Sequence, residues 1–234
     1  MFIAAVLYSS VGHAGASGYL AVMALFSFEP SVMKPTALAL NIVVAVIGTW
    51  RFYQAGFFSW KLFFWFAVAS IPMAYAGGAI DVHISVYKIL VGVVLLLAAL
   101  RLFVTSLLKG TEAVKEPPRW ASLASGAGIG FLSGLTGVGG GIFLTPLLIL
   151  CKWSTAKTAA AVSVTFILVN SIAGLAGNWK NVNLISEFIP YFAAAVVAGG
   201  MVGTYLGTKR FDTSTLRRVL AVVLVFAGTK MIFL

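Results

Sequence analysis

Charge is scarce in this chain, and its scarcity decides the solvent. Only 9% of the 234 residues are charged and 61% are hydrophobic, with a mean hydropathy of +1.03, which excludes an ordinary soluble domain. Cysteine is rarer still: Cys151 stands alone, so no internal disulfide can form. With no second thiol and no clustered histidines, neither a metal nor a redox cofactor is expected. The six carboxylates, Glu29, Asp81, Glu112, Glu116, Glu187 and Asp212, all fall in connections or at the ends of apolar spans. A relay of carboxylates at membrane depth is therefore excluded, and any proton coupling would have to run through His13. No nucleotide-binding motif occurs, which excludes an ATP-driven engine within the chain. A membrane-embedded enzyme is disfavoured because the spans hold no nucleophile and base pair, carboxylate pair or metal-ligand cluster. No positive leader with a cleavage pattern precedes the first apolar run, so that run is read as mature structure.

What the chain has in abundance is apolar length. About 20 apolar residues span the roughly 30 Å of hydrocarbon in a bilayer, and six stretches offer that length: Val32 to Phe52, Leu62 to Ile80, Val86 to Leu108, Ala156 to Gly177, Ile185 to Leu206 and Leu216 to Leu234. Two further apolar stretches, Phe2 to Phe28 and Trp120 to Leu150, carry dense glycine and small polar residues in their middles. The sixteen Lys and Arg residues that give the net charge of +10 sit singly or in pairs near span ends. Such placement sets membrane topology and gives no nucleic-acid patch.

The chain is also internally duplicated. Gly15, Tyr19 and Leu20 fall on Gly139, Phe143 and Leu144 at one offset, and Ala74, Gly78, Ser85, Lys88 and Arg101 fall on Gly203, Gly207, Ser214, Arg217 and Lys230 at a slightly longer one. Residues 1–108 form the first repeat and residues 120–234 the second. Residues 109–119, polar and containing Pro117-Pro118, form the linker. Each repeat is one glycine-broken segment followed by three spans. If the broken segments crossed the bilayer, the basic residues would divide evenly between the two sides. If each dips in and returns, Lys34, Lys88, Lys180 and Lys230 face one side and the other twelve face the opposite side, the asymmetry of a cytoplasmic face. The expected fold is an all-α integral membrane protein of two inverted repeats, each a re-entrant helical segment plus three transmembrane helices. The linker would be cytoplasmic and both termini outside.

Chemistry is expected where the helices break. Ser9 to Gly18 and Ser133 to Gly141 are too rich in glycine for a continuous helix, each interior Gly costing about 1 kcal/mol relative to Ala. A break at membrane depth is tolerated only in a cavity or inside protein. It also creates fresh helix N-termini near Ser17 to Leu20 and Gly141 to Leu144, whose free N–H groups and positive dipole end attract anions. The candidate substrate-binding residues are Gly12, His13, Gly15 and Ser17 in the first break and Thr136, Gly137, Gly139, Gly140 and Gly141 in the second. Asn41, Ser163, Thr165 and Asn170 on the following spans complete the set. Three consecutive glycines exceed what helix packing needs, whereas Gly77, Gly78, Gly199, Gly200, Gly203 and Gly207 read as packing positions. No Lys or Arg falls at the expected centre, so affinity should rest on backbone amides.

The run Gly130-Phe131-Leu132-Ser133-Gly134-Leu135-Thr136-Gly137-Val138-Gly139-Gly140-Gly141, followed by Thr145-Pro146-Leu147-Leu148, resembles the TauE/SafE sulfite exporter family of bacterial permeases. So do Ser163, Phe166 to Leu175, and Lys34-Pro35-Thr36-Ala37-Leu38-Ala39-Leu40-Asn41. The likeness covers nearly the whole chain, although His13, Ala16 and Ser17 depart from the family's glycine run in the first repeat. The resemblance implies transport of sulfite, sulfonates or related organosulfur anions across the bacterial plasma membrane. The expected partners are therefore a small anionic substrate and the lipid bilayer, and the alternative of the same architecture is a passive anion channel.

Overall fold

The computed structural model of the protein describes residues 1–10, 15–105, 114–185, 188–209 and 213–233. Among the described residues the chain is helical without strands, as its hydropathy requires. The helices are α1 (Phe2–Ser10), α2 (Ala16–Leu25), α3 (Pro30–Gln54), α4 (Trp60–Ala79), α5 (Ile84–Thr105), α6 (Arg119–Thr136), α7 (Gly141–Leu150), α8 (Ala156–Gly177), α9 (Ile189–Lys209) and α10 (Thr213–Phe233). A short 3-10 turn, Trp179–Leu184, follows α8. Among the described residues, three stretches, Pro30–Gln54, Trp60–Ala79 and Lys157–Gly177, are long and apolar enough to cross a membrane.

Local chemistry sets the ends of these helices. Pro30 opens α3 with its fixed φ and missing N–H. Ser59 and Thr155 cap α4 and α8 by accepting from the amides of Leu62 and Thr158. The second apolar hairpin is cut at Gly137, which closes α6 in the left-handed conformation at φ 82°, and again at Gly139 and Gly140, at φ 82° and 79°. Only glycine adopts that conformation without penalty.

Glycine-mediated contacts fix how the helices run. A Cβ placed on Gly126, Gly130 or Gly134 of α6 would lie 2.4, 2.4 and 2.0 Å from the carbonyls of Phe66, Ser70 and Ala74 of α4. The two helices therefore rise together in backbone contact. Helix α8 runs the same way as α4, because Ser70 bonds Asn170 while Gly177, further along α8, meets Tyr75 and Ala79 further along α4. By contrast, α3 runs against α8, because Gly48 abuts Val164 while Leu38 abuts Gly174. Helix α7 also runs against α8, with Thr145 beside Ser163 and Gly141 beside Ile167. Since α6 is parallel to α8 and α7 antiparallel to it, α6 and α7 form a hairpin that turns at residues 137–140.

These directions sort the helix ends onto two faces. One, the linker face, holds the C-terminus of α3, the N-termini of α4, α6 and α8, and the loop after α7. There the Lys115 amide donates to Lys152 O, Lys61 pairs with Glu116, and Arg119 stacks on Trp65. The opposite face holds the N-terminus of α3, the C-terminus of α4 and the turn after α8. Lys230 joins it by donating to Leu25 O and Ser27 Oγ.

Two large apolar clusters lie between the faces. One gathers Ala5, Tyr19, Leu20, Met33 and Leu95 with Leu224 and Val138. The other gathers Phe63, Phe66, Leu144, Leu148, Val162 and Phe166. Each cluster draws on residues from both before and after residues 109–119.

Lys34 departs from expectation. Its place at the start of the Val32 to Phe52 span suggests an exposed lysine at a span end, but helix α3 begins at Pro30, so Lys34 lies in its second turn and is only 7% exposed.

Candidate functional site

The interruption between α6 and α7 lies against α8 and α3. A Cβ on Gly139 would sit 2.8 Å from Ile167 Cγ2, 3.1 Å from Asn41 Nδ2 and 3.3 Å from Ser171 Oγ, and one on Gly141 would meet Ile167. Gly140 faces Phe166 and Ile129. Residues 163, 166, 167, 170 and 171 form one stripe of α8 by helical spacing, so Ser163, Asn170 and Ser171 share the face that receives the loop.

Hydrogen bonding across this interruption is lopsided. On the acceptor side, the carbonyls at the end of α6 are supplied with donors. Thr136 Oγ1 donates to Leu132 O at 2.7 Å, the Gly137 amide to Ser133 O, Tyr87 Oη to Thr136 O at 3.1 Å, and Asn41 Nδ2 to Gly137 O at 3.2 Å. On the donor side, the amides of Val138, Gly139, Gly140 and Gly141 donate to no acceptor among the described residues, although all four residues are buried. Asn170 Nδ2 and the hydroxyls of Ser133 and Ser171 are likewise buried without a partner among the described residues, as is the acceptor Asn41 Oδ1. An unpaired buried polar group costs about 1–3 kcal/mol. A cluster of them beside a helix N-terminus is a place where a ligand or ordered water can complete the bonding.

The residues singled out from sequence are distributed unevenly over this site. Gly137, Gly139, Gly140, Gly141, Asn41 and Asn170 come together there. Thr136 lies at its edge with its hydroxyl turned back onto its own helix. Ser163 accepts from Thr145 Oγ1 at 2.8 Å, which ties α7 to α8. Thr165 Oγ1 donates to Ala161 O within α8 and takes no part in the loop. Gly15 and Ser17 are buried at the start of α2. That helix packs on α3 and α10, and its Tyr19 and Leu20 share an apolar cluster with Val138 of the glycine loop. Gly12 and His13 lie outside the described residues.

Sequence reasoning missed Ser70, Ser133, Ser171 and Lys34. Ser70 Oγ donates to Asn170 Oδ1 at 2.6 Å and so turns the unpaired Nδ2 of that amide outward from the bond. Lys34 Nζ donates to the carbonyls of Gly77, Gly78 and Ile80 at 3.3, 2.9 and 3.2 Å, which caps the negative end of α4 with a cation. The sequence hid the position of Lys34, because the following Pro35, which lies inside α3, is disfavoured in a helix interior and reads as a helix boundary.

The family profile described as "Sulfite exporter TauE/SafE" matches residues 1–231. The chain belongs to the TauE/SafE family. Within it, the chain is 40% identical to the "Probable membrane transporter protein y4hK" of Sinorhizobium fredii over 235 residues, covering 99% of this chain and 95% of that one. A second relative, "Probable membrane transporter protein YjnA" of Bacillus subtilis, is 23% identical and covers 99% of this chain and 96% of its own. A third, "Probable membrane transporter protein MJ0441" of Methanocaldococcus jannaschii, is 30% identical over 60% of this chain and 53% of its own. No solved structure matches the chain. Together the TauE/SafE membership and the apolar helices indicate a multi-pass membrane transporter.

Proposed function

We propose that this protein carries a small sulfur-containing oxyanion, such as sulfite or an organosulfonate, across the bacterial plasma membrane, binding it at the Gly137–Gly141 interruption. The observation that carries this reading is the one-sided bonding there: acceptors at the end of α6 are paired, while four buried amides and the donors of Asn170, Ser133 and Ser171 are open. Neutral donors at a helix N-terminus favour an anion without trapping it as a fixed cation would. The unpaired Asn41 Oδ1 suits an oxyanion that brings a proton or a water molecule with it.

In this reading the α6–α7 hairpin is a re-entrant segment, residues 1–108 and 120–234 are inverted repeats, and residues 109–119 are a cytoplasmic linker with both termini outside. Two observations support it. The equivalent helices α3 and α8 run antiparallel, as an in-plane twofold axis requires. Arg51, Lys61, Lys115, Arg119, Lys152 and Lys157 gather on the linker face, as the cytoplasmic excess of basic residues requires.

The test is uptake of labelled sulfite, sulfate, thiosulfate and sulfoacetate into proteoliposomes, with and without a pH gradient. Saturable flux with counterflow is the expected result for a carrier, and flux without either would make the protein a channel. Absence of flux for every anion would refute the reading.

A further inference from the structure

Beside the glycine loop, on the face opposite the linker, lies a cavity of about 210 Å³. Lys34, Asp81, Asn178 and Asn181 line it, with Tyr87 and Leu135 toward the interior. Its inner wall is the outer side of the proposed transport site, because Tyr87 Oη bonds Thr136 O and a Cβ on Gly137 would touch Lys34 O at 3.1 Å.

Two features of the cavity point to an anion. The first is the ammonium of Lys34, buried and held only by the neutral carbonyls of Gly77, Gly78 and Ile80. Carbonyl dipoles orient this charge, and the carboxylate that lines the cavity, Asp81, attracts it from the rim without a hydrogen bond to it. The second is Asn178 Nδ2, a donor buried without a partner among the described residues. Asn178 is 3% exposed and its Oδ1 is already taken by Asn181 Nδ2 at 2.9 Å. The carboxylate in the cavity, Asp81, accepts from Asn181 Nδ2 at 3.0 Å and lies at the exposed rim.

We infer that Lys34 and Asn178 form a second, outer binding site for the transported oxyanion, a vestibule through which it reaches or leaves the glycine loop on the face opposite the linker. This rests on the anion-transport reading above. The oxyanion takes the open Asn178 Nδ2 and one N–H of Lys34, replacing the longest of the three carbonyl bonds, that to Gly77. Asp81 weakens the site from the rim and keeps occupancy transient, as conduction through successive sites requires.

The test uses the full-length protein in proteoliposomes with labelled sulfite and sulfate as probes, its orientation read from the accessibility of Cys151 to an impermeant maleimide. Lys34→Gln should raise the KM measured from the cavity face roughly 10- to 100-fold, the loss expected for one charge-assisted hydrogen bond. From the linker face KM should stay within about twofold and the loss should appear in Vmax, because the same step then lies on the exit path. Lys34→Arg should restore part of the affinity. Asp81→Asn should act with the opposite sign and lower the cavity-face KM. A folded Lys34→Gln protein with unchanged cavity-face KM, or with equal rises on both faces, would overturn the inference. If Lys34→Gln does not insert, Asp81→Asn decides alone, and an unchanged or raised cavity-face KM overturns it. Failure of the wild-type protein to take up either probe would instead remove the transport reading on which the vestibule depends.

Discussion

Replacing Ser171 with alanine should make the protein more stable and less active. Ser171 is fully buried, and its Oγ lies 3.3 Å from where a Cβ on Gly139 would be, with no hydrogen-bond partner among the described residues. Leaving such a hydroxyl unpaired costs about 1–3 kcal/mol, discounted in a membrane because the unfolded helices also find partners for it. Removing one oxygen leaves too little space to offset that gain. The ligand-free variant should therefore gain roughly 0.5–2 kcal/mol, a rise of about 1–8 °C in Tm for a chain of this size. Thermal unfolding of the purified protein in detergent, without and then with sulfite, reads both terms. At an anion concentration 100 times Kd the wild-type protein gains about 2.7 kcal/mol from binding, and the variant, lacking one donor, should gain less. The order of stability should thus narrow or reverse as anion is added. A variant that melts below the wild type without anion and responds equally to it would refute the claim that this hydroxyl is held open for a ligand.

Two further substitutions separate packing from binding. Gly139→Ala would set a methyl between Ile167, Asn41 and Ser171 at a φ of +82°. A loss of roughly 1–2 kcal/mol with abolished uptake is expected from melting and flux assays on the inserted protein. Gly134→Ala would drive a Cβ to within 2.0 Å of Ala74 O and force α4 from α6, whereas Gly128→Ala meets nothing within 4 Å. The first should lose most folded protein in detergent, and the second should be neutral or gain up to about 1 kcal/mol from helix propensity.

Much of this architecture was legible because lipid enforces simple rules. Apolar length marked the helices, and Gly137, Gly139 and Gly140 marked the interruption because only glycine holds a positive φ cheaply at three nearby positions. The hydrogen-bond asymmetry was not legible, since it depends on which side chains from distant helices reach the loop. Asn41 and Tyr87 close carbonyls 96 and 49 residues away in sequence, and no periodicity encodes such a meeting. Ser70 and Ser171 carry no sequence signal beyond that of any small polar residue in a span. Lys34 was hidden by a general rule, that lysine belongs outside the hydrocarbon, which fails where three helix-end carbonyls can solvate the ammonium. Gly77, Gly78 and Gly199 do serve close packing, with a Cβ on each meeting a backbone carbonyl at 2.3, 2.2 and 2.6 Å.

The same contacts redefine which parts can move. By sequence the natural halves are the two repeats, and rocking one against the other is the simplest expectation. Yet α4 is locked onto α6 and α8 by glycine contacts that no sliding preserves, and α1 packs on α9, so both contacts cross the boundary between those halves. The two apolar clusters follow the same division. If transport moves one part against another, these contacts predict that α4 travels with α6, α7 and α8, with α3 and α8 parting at the seam between them. Gly48 and Val164 face each other across that seam, with a Cβ on Gly48 lying 3.9 Å from Val164 Cβ, inside the 3.5–4.5 Å range of a disulfide. A Gly48→Cys, Val164→Cys protein, with Cys151 changed to Ser, should cross-link on mild oxidation. Flux should stop when it does and return on reduction. Full flux through the oxidised protein would show that α3 and α8 stay together during transport, and the mobile boundary would then have to lie on the far side of α3.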